Sequence, residues 1–136
     1  LIQVDDLAIN ESLSGDWQNI LLLGTDSRTD RTYTLTDSMI VLSINPTTSQ
    51  VKLTSLMRDL WVEIPEHGNA KLNAACVYGG PKLTVRLINE LFGLNIQYYV
   101  LVNMQCLAAI EDSMGGIRLD VSGAEASAIN RLLYSA

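Results

Sequence analysis

Charged residues, histidine, cysteine and phenylalanine are all scarce in this sequence, and these shortages narrow the classes of protein that it can encode. Charged residues make up 18% of the 136 positions and apolar residues 48%. A composition this apolar excludes an intrinsically disordered chain, which combines low hydrophobicity with high net charge. Nine basic residues stand against fifteen acidic ones, giving a net charge of −6. We therefore expect no nucleic-acid partner, since such binding requires a basic surface.

Long apolar runs are also missing. No stretch reaches the roughly 18 apolar residues of a transmembrane helix, and no basic segment followed by an apolar one indicates a signal peptide. The chain starts without methionine and ends in a helix-like run over residues 124–134. We therefore expect it to be part of a longer protein.

The periodicity of apolar residues predicts an α/β domain with a mixed sheet. Strands are predicted at residues 18–24, 38–44, 50–56, 61–64, 96–102 and 117–121. Helical spacing is found over residues 72–79, 81–91 and 107–114, and Ser122 is a suitable N-cap for a last helix. Residues 1–17 are polar and irregular, and they are expected to form a lead-in segment to a domain over residues 18–136. Hairpins in the first half and alternating strands and helices in the second predict layered α/β architecture.

The first candidate site residues lie at the ends of the first two predicted strands. Asp26 and Arg28 follow the first strand, and Asp37 opens the second. A crevice for ligands lies beyond the carboxyl ends of strands in open α/β sheets. There the two aspartates could hold Mg²⁺, which takes one or two carboxylates, and Arg28 could bind a phosphate. A turn with a solvated arginine and a simple strand-start cap fit the same residues.

Two further clusters follow the predicted hairpin. Arg58 and Asp59 could stabilise phosphoryl charge together, or they could form an ordinary surface salt bridge. Lys71 and Asn73 stand at a predicted helix start, where they could add to an anion site.

Neither histidine nor cysteine indicates a nucleophile. The single histidine, His67, lies in a predicted loop as a solvated residue. Cys76 and Cys106 lack metal-type spacing, and they could be two apolar thiols or one disulfide.

Taken in order, these runs resemble the LytR–CpsA–Psr family of cell-wall glycopolymer transferases. The matching stretches are residues 19–28, 36–41, 53–59, 71–75, 79–81 and 99–116. The resemblance implies a three-layer α/β/α sandwich with a central mixed sheet and an apolar pocket for a polyprenyl tail. It also implies an extracellular domain at the outer face of the cytoplasmic membrane, tethered by an amino-terminal helix. Family members are taken to transfer teichoic acid or capsular polysaccharide from polyprenyl pyrophosphate to peptidoglycan, assisted by Mg²⁺.

The resemblance also implies roles for individual residues. Asp26 and Asp37 match the metal-coordinating aspartates. Arg28 and Arg58 match arginines that hold the pyrophosphate, and Asp59 is the expected partner of Arg58 in catalysis. Lys71 and Asn73 occupy a family motif and are expected to bind substrate.

Two departures from the family pattern bear on these expectations. Many members carry an arginine at the position of Leu35, and here Arg31 is the nearest cation and the expected substitute in substrate binding. The family domain also continues for about another hundred residues, a length typical of a larger domain. We therefore expect that the carboxyl-terminal part of the domain, with a further arginine-rich motif, is absent from this chain. A noncatalytic module that binds polyprenyl lipid or wall polymer is the alternative function.

Overall fold

The computed structural model describes residues 7–26 and 34–134. Its elements in chain order are β1 (Gln18–Thr25), β2 (Thr36–Asn45), β3 (Gln50–Ser55), β4 (Trp61–Ile64), β5 (Gly68–Lys71), a 3-10 turn (Leu72–Ala74), α1 (Ala75–Phe92), β6 (Tyr98–Asn103), α2 (Met104–Ser113) and α3 (Gly123–Tyr134). Within these ranges, no helix combines the length and the apolar character needed to cross a membrane.

The central sheet has the strand order β3-β2-β1-β6, and β4 and β5 form a separate hairpin. Strand β2 runs antiparallel to both β1 and β3, whereas β6 runs parallel to β1. The parallel pair is possible because α1 provides the crossover that parallel strands require. The sequence-based prediction of an α/β fold with a mixed sheet is thus confirmed.

Helix α1 covers one face of this sheet. Leu21 of β1 lies opposite Val41 of β2, and Leu23 lies opposite Met39. These four side chains are buried in one cluster with Val85, Leu87 and Ile88 of α1. Alternate strand residues point to the same face, so the apolar residues at odd positions of β1 and β2 account for this core.

The opposite face, here called the open sheet face, is also apolar but is only partly covered by the described residues. It carries Ile20, Leu22, Ile40, Leu42, Val51, Leu53, Tyr98 and Val100. The members on the two edge strands are exposed, with Leu53 at 67% and Tyr98 at 64%. Helix α2 buries none of its residues. Apolar surface of this extent is typical of a binding or association surface.

Several local predictions were wrong or incomplete. No strand forms at residues 117–121, although their apolar residues alternate. Strand β5 was not predicted, because Gly68–Lys71 has no apolar alternation and depends on pairing with β4. The segment expected to be a lead-in contributes Leu7 to the core.

The structure shows the state of the two cysteines and the exposure of the single histidine. Both cysteines are free, with Cys76 buried and Cys106 exposed, so the alternative of a disulfide is excluded here. Burial raises the pKa of the Cys76 thiol. His67 is exposed as expected, and its ring stacks on that of Tyr78 at a centroid distance of 4.2 Å.

A glycine kink divides α1 and provides a test of the fold. Gly80 has φ 68° and ψ −168°, which a residue with a Cβ rarely adopts. We expect Gly80→Ala to lower the free energy of unfolding by about 1–3 kcal/mol, measured by urea denaturation. Gly123→Ala is the matched control, because nothing lies within 4 Å of a Cβ at that position. Equal stability of the two variants would contradict the role of the kink.

Candidate active site

The end of β1, the start of β2 and the turn after β3 lie at one end of the sheet. Thr25 at the end of β1 is the register partner of Thr36 at the start of β2. Asp26 and Asp37 are each the next residue along the chain after one member of this pair. The strand register thus brings both aspartates to the same end of the sheet. The turn after β3 reaches the same end, since the Leu56 amide donates to the Met39 carbonyl at 2.8 Å.

The turn that carries Arg58 and Asp59 is fixed by the segment that follows β5. The Leu72 amide donates to the Leu60 carbonyl at 2.8 Å, and the Asn73 amide donates to the Arg58 carbonyl at 3.2 Å. These bonds place Lys71 and Asn73 beside the Arg58 turn. Residues from three separate motifs are therefore brought together by backbone contacts rather than by the charged side chains themselves.

Four charged side chains form a continuous chain of ion pairs. The guanidinium of Arg58 donates to Asp37 Oδ1, and its Nε lies 3.6 Å from Asp59 Oδ2. Lys71 Nζ donates to Asp59 Oδ1 at 2.5 Å. All four are about half exposed. Ion pairs this exposed contribute little to stability.

These four residues line an open cavity. Its volume is ≈ 340 Å³, and its other lining residues are Leu35, Trp61, Ala70, Asn73 and Ala74. The cavity thus has a charged side and an apolar side. All predicted site residues from Asp37 onward line it.

Lys71 and Arg58 hold Asp59 in its charged form. The hydrogen bond from Lys71 is the main cause of a lowered pKa at Asp59, and the charges of Lys71 and Arg58 lower it further against partial desolvation. Because the pKa is lower in the folded state, the ionised form stabilises that state above the pKa of the unfolded chain. This contribution is lost as the pH falls through the folded-state pKa.

We expect Lys71→Gln to raise the pKa of Asp59 towards its ordinary value. The reason is that the substitution removes both the charge and the principal hydrogen-bond donor. An NMR titration of the Asp59 carboxyl carbon measures the shift. Lys52→Gln is the matched control, because Lys52 Nζ lies 4.3 Å from the Trp17 ring centroid and does not line this cavity. An Asp59 pKa that is the same in wild type and Lys71→Gln would contradict the assignment.

The donor atoms at this end of the sheet fit Mg²⁺ chemically. No cluster of three or more histidine, cysteine or acidic residues occurs in the described part of the chain. Mg²⁺ needs only one or two carboxylates, since it keeps several waters. Arg58 engages one carboxylate oxygen of Asp37, which leaves the other for a cation. Asp26 and Asp37 remain the predicted ligands.

Asn73, one of the residues that line the cavity, has an unsatisfied polar atom that is itself buried. Its side chain is 5% exposed, and its Oδ1 has no hydrogen-bond partner among the described residues. A buried carbonyl oxygen without a partner costs free energy, so it indicates a missing donor. An O–H group of a ligand or of a metal-bound water would satisfy it.

Three residues remain: two arginines predicted to bind substrate and one tryptophan that was not predicted. Arg28 and Arg31 lie outside the described residues. Trp61 lines the cavity but was missed, because an aromatic residue in a short strand suggests core packing. Its position three residues after Arg58 is the only sequence signal that links it to the site.

Comparisons of sequence identify related proteins. A teichoic acid transferase, TagU of Oceanobacillus iheyensis, is 40% identical over 111 residues, which cover 77% of this chain and 34% of TagU. Biofilm regulatory protein A of Streptococcus mutans is 36% identical over 110 residues, covering 73% of this chain and 27% of that protein. The chain therefore spans about a third of the length of these relatives.

Comparison of structures leads to the same group. The family protein YwtF (TagT), solved with bound octaprenyl pyrophosphate lipid, superimposes with a TM-score of 0.70 at 26% identity, over 88% of this chain and 48% of that one. The model of the LytR_cpsA_psr family matches residues 3–131. The order of the motifs, the mixed sheet and these matches together show that the chain belongs to the LytR–CpsA–Psr family.

Proposed function

We propose that this chain is the amino-terminal part of a phosphotransferase that moves an anionic glycopolymer from a polyprenyl-pyrophosphate carrier to peptidoglycan. The observation that carries the proposal is the cavity of Asp37, Arg58, Asp59 and Lys71. It lies in a chain whose fold superimposes on a relative that binds octaprenyl pyrophosphate. The teichoic acid transferase name of TagU supports the same reaction.

The residues of the cavity would act by positioning and electrostatics. Phosphoryl transfer requires little covalent chemistry from the protein, and most of the rate enhancement comes from cations placed on phosphate oxygens. Arg58 supplies a planar fork of donors, and Lys71 supplies a point charge. Asp37 and Asp59 keep both cations in place before the substrate arrives.

The charge balance of the cavity supports a further cation. Arg58 and Lys71 are matched by Asp37 and Asp59, so these four groups carry no net charge. A pyrophosphate brings several negative charges, which a neutral site does not neutralise. We therefore propose that Asp26 and Asp37 hold a Mg²⁺ ion and that Arg28 and Arg31 add positive charge. Bound Mg²⁺ would polarise the phosphoryl oxygens.

The open sheet face is the proposed surface for the lipid and for the rest of the domain. Its exposed residues, such as Leu53 and Tyr98, offer apolar contacts to an isoprenoid tail. We propose that a carboxyl-terminal half of the domain covers the remainder of this face. An amino-terminal membrane anchor would hold the protein at the outer face of the cytoplasmic membrane, within the cell envelope.

Calorimetric titration with farnesyl pyrophosphate, a soluble short-chain analogue, tests the donor site directly. We expect saturable binding that weakens on chelation with EDTA. Farnesol, which lacks the pyrophosphate, is the matched ligand control and is expected to bind much more weakly. Absence of saturable binding of farnesyl pyrophosphate, or equal affinity for farnesol, would contradict the proposed donor site.

A noncatalytic module that binds lipid or wall polymer is the second candidate, favoured by the regulatory name of the Streptococcus mutans relative. Metal dependence separates the two functions. A transferase is expected to lose turnover on chelation, whereas a sensor would continue to bind its lipid.

A further inference from the structure

The apolar side of the active-site cavity carries an unusual residue for an exposed position. Trp61 is 69% exposed, although tryptophan is highly buried on average. In the described structure its ring makes no aromatic or cation contact, unlike Trp17, whose ring lies under Lys52. Its neighbours Val62 and Ile64 are the residues of β4 that turn towards the core. Trp61 therefore contributes little to the packing of the described part of the chain.

The position of Trp61 relative to the cations is fixed by the β4–β5 hairpin. Trp61 is the register partner of Lys71. Residues directly opposite each other in an antiparallel pair project to the same face, so the Trp61 and Lys71 side chains lie on one face of the hairpin. Both line the cavity that contains Asn73.

The chemistry of Asn73 distinguishes between possible ligands. Its unpartnered Oδ1 is an acceptor and needs a hydrogen-bond donor. Ionised phosphate oxygens are acceptors too, and an isoprenoid chain has no donor. A hydroxyl group would satisfy this atom, and a sugar supplies hydroxyls at the edge of its ring together with an apolar C–H face.

We propose that Trp61 and Asn73 form a subsite for a pyranose ring of the acceptor glycan. The indole packs against the C–H face of the sugar, and Asn73 Oδ1 accepts a hydrogen bond from one of its hydroxyls. The proposal rests on the proposed transferase function, in which this hydroxyl side faces the pyrophosphate held by Arg58 and Lys71. Trp61 and Asn73 are positioning residues in this scheme.

The two tryptophans of the chain allow a direct binding test. In a Trp17→Phe background, Trp61 is the single tryptophan reporter, and titration with chitotetraose is expected to change its fluorescence in a saturable way. The same titration of Trp61→Phe, which retains Trp17, is expected to give no such change. Lack of a saturable signal from Trp61, or an equal signal from Trp17, would overturn the proposal.

A second variant and two competing ligands assign the source of the sugar. Asn73→Ala is expected to weaken chitotetraose binding by about two- to tenfold, the loss of one hydrogen bond, with an unchanged circular dichroism spectrum. Binding that persists in saturating inorganic pyrophosphate supports an acceptor subsite. If Trp61 responds only to UDP-N-acetylglucosamine and pyrophosphate abolishes that response, the subsite belongs to the donor sugar and the proposal is wrong. A Trp61 response to farnesyl pyrophosphate alone would also overturn it.

Failure of this inference and failure of the proposed function give different results. If farnesyl pyrophosphate binds and chitotetraose does not, the donor site stands and the acceptor subsite is wrong. If chitotetraose binds at Trp61 and no pyrophosphate ligand binds, the proposed transferase is wrong and the acceptor role falls with it. In a transfer assay, Trp61→Ala is expected to raise the KM for the acceptor about tenfold and leave the KM for the lipid donor unchanged.

Discussion

Replacing Arg58 with alanine is expected to weaken farnesyl pyrophosphate binding about ten- to a hundredfold and to reduce transfer by about 10²–10³-fold. Arg58 is the central member of the ion-pair chain, since it contacts both Asp37 and Asp59. Its removal takes one of the two cations from the cavity and leaves the charge of Asp37 without its partner. The cavity then carries net negative charge, which opposes an anionic ligand.

Two variants separate the charge of Arg58 from its geometry. Arg58→Lys keeps the charge but loses the planar fork of donors, so we expect an intermediate affinity. Arg86→Ala is the matched control, because Arg86 forms an i,i+4 pair with Glu90 on α1 and does not line this cavity. Calorimetry on this chain measures the affinity, and a transfer assay with the full domain measures the turnover. Wild-type affinity and turnover in Arg58→Ala would contradict the assigned role.

The charged half of the site could be predicted because its residues are near the ends of strong local elements. The apolar runs of β2 and β3 predict a hairpin, and a hairpin returns Arg58 to the beginning of the strand that carries Asp37. The partnership of Lys71 with Asp59 was not predictable in the same way. It depends on β5, which has no apolar pattern of its own and is positioned by pairing with β4.

The wrong strand at residues 117–121 has a different physical cause. Alternation of Ile117, Leu119 and Val121 gives these residues a pattern typical of a strand, but a strand requires a neighbour for its backbone groups. The edges of the described sheet are β3 and β6, and neither pairs with this segment.

By contrast, the prediction of Ser122 as an N-cap is confirmed. The Glu125 amide donates to Ser122 Oγ at 3.4 Å, and the Ser122 amide donates to Glu125 Oε2 at 2.8 Å. This reciprocal capping joins residues that are three apart in the chain, so it can be predicted from the sequence.

Asn89 is a buried polar residue that the apolar pattern of α1 did not identify. Its side chain is 1% exposed and lies on the helix beside Ile88 of the core. Asn89 Nδ2 donates to the Leu7 carbonyl at 2.8 Å and to the Ile96 carbonyl at 2.9 Å. Asn89 Oδ1 accepts from the Ile96 amide at 2.9 Å. One side chain thus ties the amino-terminal segment, α1 and the approach to β6 together.

Asn89→Ala is expected to lower the free energy of unfolding by about 3–5 kcal/mol, among the largest losses for a single substitution. Leu7 and Ile96 are both buried, so their three backbone groups would lose their partner without gaining water. The better helix propensity of alanine offsets only about 0.7 kcal/mol of this loss of stability.

Urea denaturation followed by circular dichroism measures this loss, and Glu90→Ala is the matched control on the next residue of α1. The control removes only an exposed ion pair with Arg86 and is expected to change stability by less than about 0.5 kcal/mol. Hydrogen exchange adds a local readout, because the Ile96 amide loses its acceptor in Asn89→Ala and is expected to exchange faster than its neighbours. A stability within about 1 kcal/mol of the control, with the Ile96 amide still protected, would mean that other groups hold these three elements together.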